Sequence, residues 1–101
     1  MKIEFIYEAS VEYKSLDGSL KAMADKLLVK LEENPFLGEE LGNKNNIDLT
    51  GFYKLYFFKK KYRIIYRIKK NGIEIIEIWG IGKRDKMEIY KTVEKRINDR
   101  K

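Results

Sequence analysis

Three runs of strand-forming residues, Phe52–Lys59, Tyr62–Lys69 and Ile73–Ile81, follow one another with almost nothing between them. Isoleucine and aromatic side chains dominate these runs, and such residues favour a pleated backbone. Asn71-Gly72 separates the second run from the third, and Asn-Gly is the dipeptide that best tolerates the positive φ angles of a tight hairpin turn. Lys59-Lys60-Lys61 separates the first two in the same fashion, so a three-stranded antiparallel meander is expected. Apolar residues stand on both faces in places (Ile64, Ile65, Ile75, Ile76, Ile78), which predicts a sheet covered on one side by helices and only partly open on the other.

The rest of the chain supplies those helices. Lys2–Glu8 alternates with Ile3, Phe5 and Tyr7 on one face, as a short half-buried strand does. From Ala9 the period changes: Ala9–Leu16 has room for two helical turns, Asp17-Gly18 interrupts, and Ser19–Glu33 carries Leu20, Met23, Ala24, Leu27, Leu28 and Leu31 as one apolar stripe. Asn34-Pro35 ends that helix, and the two segments read as an antiparallel helical hairpin. Residues 34–50 hold Pro35, Gly38, Gly42 and an Asn-Lys-Asn-Asn tract with no period, and are expected to form one long loop. Asp85–Arg100 is helical again, with Met87, Tyr90, Val93 and Ile97 in register and Asp85 placed as its cap. The expected class is α+β in the order β-α-α-β-β-β-α, and 101 residues leave room for one domain over residues 1–101.

Composition removes whole classes of chemistry. With no cysteine and no histidine, the chain offers no disulfide scaffold, Cys/His zinc site, thiol nucleophile or histidine acid–base pair, so neither a metal nor a cofactor is expected. Lys2 and Glu4 interrupt the first residues and no apolar run reaches about 18 residues, which predicts no membrane span and a cytoplasmic protein. Charge is divided unevenly: residues 1–50 carry six lysines against ten acidic residues, residues 51–101 sixteen Lys/Arg against six. A cationic half interleaved with aromatics suits a binder of nucleic-acid backbone, because cations neutralise phosphates while rings stack on unpaired bases. An ordinary solvated face is the competing reading.

Strand alternation places Lys54, Tyr56 and Phe58 on one face of the first meander strand and Arg63, Ile65 and Arg67 on one face of the next. Arg84 follows the third strand, and Tyr90 comes six residues later on the last helix. If that helix folds back beside the sheet, Lys54, Tyr56, Arg63, Arg84 and Tyr90 line one groove. Such a set can grip a scissile phosphate and stabilise the extra charge of a pentacovalent transition state, with a lysine or tyrosine of shifted pKa moving the proton. Plainer roles stand beside these: Arg63 and Arg67 could pair with Glu74 or Glu77 across the hairpin, and Trp79 reads as core. Lys59, Lys60 and Lys61 at a hairpin tip suit RNA phosphates or simply keep the sheet edge soluble.

The segments Gly51–Tyr56 (GFYKLY), Tyr62–Tyr66 (YRIIY) and Ile81–Tyr90 (IGKRDKMEIY) resemble the RelE branch of the RelE/ParE toxin superfamily, and Glu12–Pro35 is similar to that family's helical hairpin in length and ending. The resemblance spans nearly the whole chain and implies a small RelE-like fold. It also implies a toxin of a type II toxin–antitoxin pair, a ribosome-dependent endoribonuclease that cuts mRNA in the A site without a metal by attack of the RNA's own 2′-hydroxyl. Carried over one at a time, Lys54 matches a basic residue acting on the 2′-hydroxyl or the phosphate, and Arg63 the arginine that stabilises the transition state. Arg84 matches the arginine that protonates the leaving 5′-oxygen, and Tyr90 a tyrosine that stacks on or orients the base. By charge and position, the expected RNA-binding set is Lys59, Lys60, Lys61, Arg67 and Lys83. One position departs: Tyr56 stands where the best-known branch has a second lysine. A tyrosine with an ordinary pKa of ~10 needs that value lowered by roughly 2–3 to serve as base at pH 7, and Lys54 acting alone is the alternative. The implied partners are a cognate antitoxin, folding as an acidic or amphipathic segment along the basic sheet face, together with the ribosome and mRNA. The competing functions are a ParE-like toxin that binds DNA gyrase without cutting RNA, a branch that generally lacks the arginine and tyrosine seen here as Arg84 and Tyr90, and an inactive antitoxin-binding relic.

Overall fold

A computed structural model describes residues 2–71, 73–85 and 87–101. Strand β1 (Lys2–Phe5) is followed by helices α1 (Tyr7–Lys14) and α2 (Gly18–Glu33), then by three two-residue strands, β2 (Glu39–Glu40), β3 (Asn43–Lys44) and β4 (Ile47–Asp48). The long strands β5 (Phe52–Phe57), β6 (Tyr62–Asn71) and β7 (Ile73–Lys83) come next, and α3 (Glu88–Asp99) ends the order. The five-stranded sheet runs β1-β7-β6-β5-β2, with β3 and β4 as a separate hairpin. The α+β class and the antiparallel β5-β6-β7 meander stand as read from sequence, while β1 joins the sheet edge parallel to β7. Gly72 of the expected Asn71-Gly72 turn lies outside the described residues.

Helix α2 forms where its apolar stripe and its cap direct. The Asp17 carboxylate accepts the Leu20 amide at 3.0 Å, capping α2. Leu20, Ala24, Leu28 and Leu31 then bury against Leu55, Ile64, Tyr66, Ile76 and Ile78 on one sheet face. On the other face, Ile89, Tyr90 and Val93 of α3, with Ile47 of β4 and Leu49 just after it, bury against Phe52, Ile65 and Trp79. A register shift between Ile65 and Tyr66 in the β6–β7 ladder gives β7 an extra residue, so Trp79 and Gly80 both face α3. A side chain at Gly80 would put Cβ 2.7 Å from Val93 Cγ2, and the bare backbone there lets α3 approach.

Three expectations need correction. Tyr7 opens α1 instead of extending β1, and is 76% exposed. Residues 34–50 are not one loop: β2 pairs with β5, and β3 and β4 close around Asn45 and Asn46, with φ of 54° and 62°. A two-residue turn of that kind needs positive φ at both positions, which asparagine tolerates, so the Asn-Asn pair was the legible signal. Asp85 does not cap α3. The residue before the helix is Met87, in the left-handed region at φ 68° with no side-chain cap, while the Asp85 carbonyl accepts the Glu88 amide at 2.9 Å.

Tyr66 anchors the segment that carries β2. Its buried hydroxyl donates to the Pro35 carbonyl at 2.8 Å and accepts the Gly38 amide at 2.9 Å, and burial raises its pKa. Tyr66→Phe strands both backbone groups and is expected to cost about 1–2 kcal/mol, read as a lower urea midpoint; a midpoint equal to wild type would mean that the hydroxyl does not anchor this segment.

Candidate functional site

Between β5, β6, the start of α3 and the β2–β4 segment lies a groove of about 190 Å³, and Lys54, Tyr56, Arg63, Arg84 and Tyr90 all line it. The ladder explains the central pair: Tyr56 stands directly opposite Arg63 across β5 and β6, and on one face of an antiparallel pair such side chains touch. Tyr90 arrives from α3, and Arg84 from the segment after β7, where its amide donates to the Lys61 carbonyl at 2.7 Å.

Arg63 lies at the floor of the groove, 2% exposed, with its guanidinium carbon 4.4 Å from the Tyr56 ring centre and 5.5 Å from that of Tyr90. Its Nε and Nη1 are buried without a hydrogen-bond partner among the described residues, as is the Tyr90 hydroxyl. A buried cation normally meets a carboxylate, and aromatic faces compensate only part of the lost hydration. Three polar atoms held open at one spot make a site that an anionic ligand would complete.

The phenols of the groove are driven in opposite directions. The Lys54 ammonium at the Tyr56 hydroxyl lowers that phenol's pKa, burial opposes it, and Arg63 lowers it further. Tyr90 is pushed up by burial, against the pull of the Arg63 and Lys54 charges. Lys54 also meets Glu39 at 3.9 Å, its cross-strand neighbour on β2. That contact, and Lys44 on the groove wall, escaped the sequence reading because β2 and β3 did; the acidic pair Glu39-Glu40 before Gly42 was the available signal.

The remaining basic positions scatter. Arg67 does not reach the groove: its Nε donates to Glu77 at 2.6 Å while the guanidinium covers the Trp79 ring at 4.9 Å. Burial raises the Glu77 pKa, but hydrogen bonds from Arg67 and Trp79 outweigh it and leave the carboxyl below its ordinary value. Lys59, Lys60 and Lys61 stand exposed in the β5–β6 turn, where the Lys60 ammonium lies 5.8 Å from the Tyr56 ring centre. Lys83 and Lys61 line a neighbouring cavity of about 580 Å³ that meets the groove at Arg84. Phe58 is also there: strand alternation predicted it beside Lys54 and Tyr56, but β5 ends at Phe57 and the turn carries the ring away. Among the described residues no cluster of acidic side chains could hold a metal ion, and no helix is long and apolar enough to cross a membrane.

Comparison with known proteins fits this architecture. The chain is 26% identical to the mRNA interferase RelE of Shigella flexneri over 95 residues, covering 94% of this chain and 95% of that one. It superposes on the isolated RelE toxin of E. coli with a TM-score of 0.69 at 22% identity, over 95% of this chain and 97% of that one. The toxin–antitoxin complex RelBE2 of Mycobacterium tuberculosis gives 0.67 at 20% identity, over 82% and 96%. At these identities the solved structures establish the fold alone. The family profile described as the ParE toxin of the type II toxin–antitoxin system parDE matches residues 7–87, and with most of its length inside that match the chain belongs to this family of the RelE/ParE superfamily, the toxins of type II toxin–antitoxin pairs.

Proposed function

We propose that the chain is a cytoplasmic RelE-type mRNA interferase, a single domain that cleaves messenger RNA in the ribosomal A site. The observation that carries this reading is the Arg63 guanidinium, with Nε and Nη1 unpartnered among the described residues, buried between two tyrosine rings in a groove that also holds Lys54 and Arg84. A phosphodiester supplies the missing acceptors. In the reaction the 2′-hydroxyl oxygen attacks the adjacent phosphorus and gives up its proton, and the bond to the 5′-oxygen breaks. The products are a 2′,3′-cyclic phosphate and a 5′-hydroxyl. Arg63 stabilises the charge gained by the phosphoryl oxygens, Lys54 holds the phosphate and Tyr56, and Arg84 supplies the proton to the leaving oxygen. Tyr90 orients the base, and the ribosome holds the codon in place. Lys59, Lys60, Lys61 and Lys83 provide the wider cationic surface for RNA, and a cognate antitoxin neutralises the toxin as an acidic segment folded over the basic groove.

Tyr56 is the group assigned as general base. Its pKa is lowered, so the phenolate that accepts the proton grows with pH through a value below 10. The wild-type cleavage rate should therefore rise with pH across that range. Tyr56→Phe should cut the rate by about 10²–10⁴ and flatten the rise; a Phe variant with the same limb would return the role to Lys54.

The reading is tested in a translation extract with a defined messenger, mapping 5′ ends by primer extension. Codon-phased cuts that need ribosomes and vanish in Arg84→Ala are the expected result. An intact messenger at toxin excess would overturn it and direct the assay to gyrase, the target that the ParE-type reading requires.

A further inference from the structure

We propose that the cavity beside Phe58 is a second nucleotide subsite, where a base flanking the cleaved step of a single-stranded RNA stacks on the Phe58 ring while Lys61 and Lys83 hold its phosphate. This rests on the RNA-cleaving reading of the groove and extends it by one nucleotide. Three independent observations converge on the subsite.

The first is continuity. Arg84 lines both the groove and this cavity, so a strand whose scissile phosphate lies on Arg63 can pass Arg84 and enter the second space without leaving protein. The second is chemistry. Phe58 keeps 39% of its surface open, meets Tyr62 edge-on at 6.2 Å, and has the Lys61 ammonium 5.7 Å from its ring centre. An open ring flanked by cations is what sequence-tolerant binding of single strands uses, because every base offers a face to stack. The cavity's lining carries three cations, Lys61, Lys83 and Arg84, against two carboxylates, Asp17 and Asp85, so it stays net cationic.

The third is backbone strain. Phe58, Lys59 and Lys60 occupy the left-handed region in succession, with φ of 52°, 54° and 66°, a conformation that side-chain-bearing residues avoid and that concentrates at functional positions. A glycine at 58 would adopt it freely. What the phenylalanine supplies is a ring held in the cavity instead of on the sheet face.

The test compares equilibrium binding of a trinucleotide and a hexanucleotide, both fully 2′-O-methylated so that no cleavage is possible, to wild type, Phe58→Gly and Phe58→Trp. Wild type should bind the hexamer about tenfold more tightly than the trimer, a gain of the size that one stacked base provides. Phe58→Gly, which relieves the turn and changes no charge, should shrink that ratio about fivefold while leaving trimer affinity intact, and Phe58→Trp should restore it. The same length ratio in wild type and Phe58→Gly would overturn the subsite. The ratio is read without catalysis, so a negative result leaves the cleavage assay standing, and an inactive toxin in the extract leaves the subsite measurable.

Discussion

Arg63→Met should lower RNA cleavage about 10³-fold and leave the free protein at least as stable as wild type. Both halves follow from one geometry. The guanidinium is 2% exposed and two of its nitrogens find no acceptor, so the free protein bears the desolvation of a charge with only the Tyr56 and Tyr90 rings as partial compensation. Methionine fits among the same rings without that cost, and replacing unsatisfied buried charge by apolar volume is commonly neutral or stabilising, here by about 1–3 kcal/mol. The transition state, by contrast, loses its most enclosed cation. Removing one preorganised donor to a developing anion lowers rates by about 10²–10³, and a full charge in so closed a site belongs at the upper end. Primer extension of cleaved messenger and thermal unfolding of the same preparation check the two halves together. A variant that keeps its activity would take Arg63 out of the chemistry, and one that unfolds well below wild type would make the arginine a structural post.

The second large effect is expected far from the groove, at Glu12. Its carboxylate takes two bonds from Arg96, both at 2.9 Å, and a third from the Ile81 amide at 3.1 Å, while Arg96 also donates to the Trp79 carbonyl. This one side chain on α1 thus ties α3 to the irregular stretch of β7, where the ladder slips. Glu12→Ala leaves the Ile81 amide without an acceptor and Arg96 without a counter-charge. Side-chain exposures of 27% and 14% for the pair place the cost below that of a fully buried bridge, at about 2–4 kcal/mol, or roughly 10–20 °C in melting temperature for a chain of this size. Glu12→Gln retains an acceptor for Ile81 and should fall between. Because α3 carries Tyr90 into the groove, activity should fall earlier on heating in Glu12→Ala than in wild type. A melting temperature within a few degrees of wild type would show that the apolar contacts of α3 hold it unaided.

The contrast between these residues shows where the sequence was legible. Tyr56 and Arg63 could be placed on a shared face because alternation along a strand and pairing across a hairpin are local rules, and the ladder sets them directly opposite. Leu20, Ala24, Leu28 and Leu31 could be assigned to a buried stripe for the same reason, since helical spacing decides which side chains share a face. The failures share the opposite property. Phe58 left its expected face because three successive left-handed residues end the strand early. The β2 strand was invisible because two residues carry no period, and it exists only as a partner to β5. Glu12 drew no notice as a clamp because its partners lie 69 and 84 residues away.

Sequence alone therefore determined the three helices and the long strands in their order, the cationic character of the second half and the residue types at the groove, all set by propensity and short-range spacing. Tertiary structure alone decided that Arg63 is buried without a counter-ion, that Arg67 is spent on Glu77, and that Tyr56 and Tyr90 have their pKa values moved in opposite directions. Those outcomes depend on desolvation and on charges brought together by packing, and neither exists until α3 and the β2–β4 segment close over the sheet.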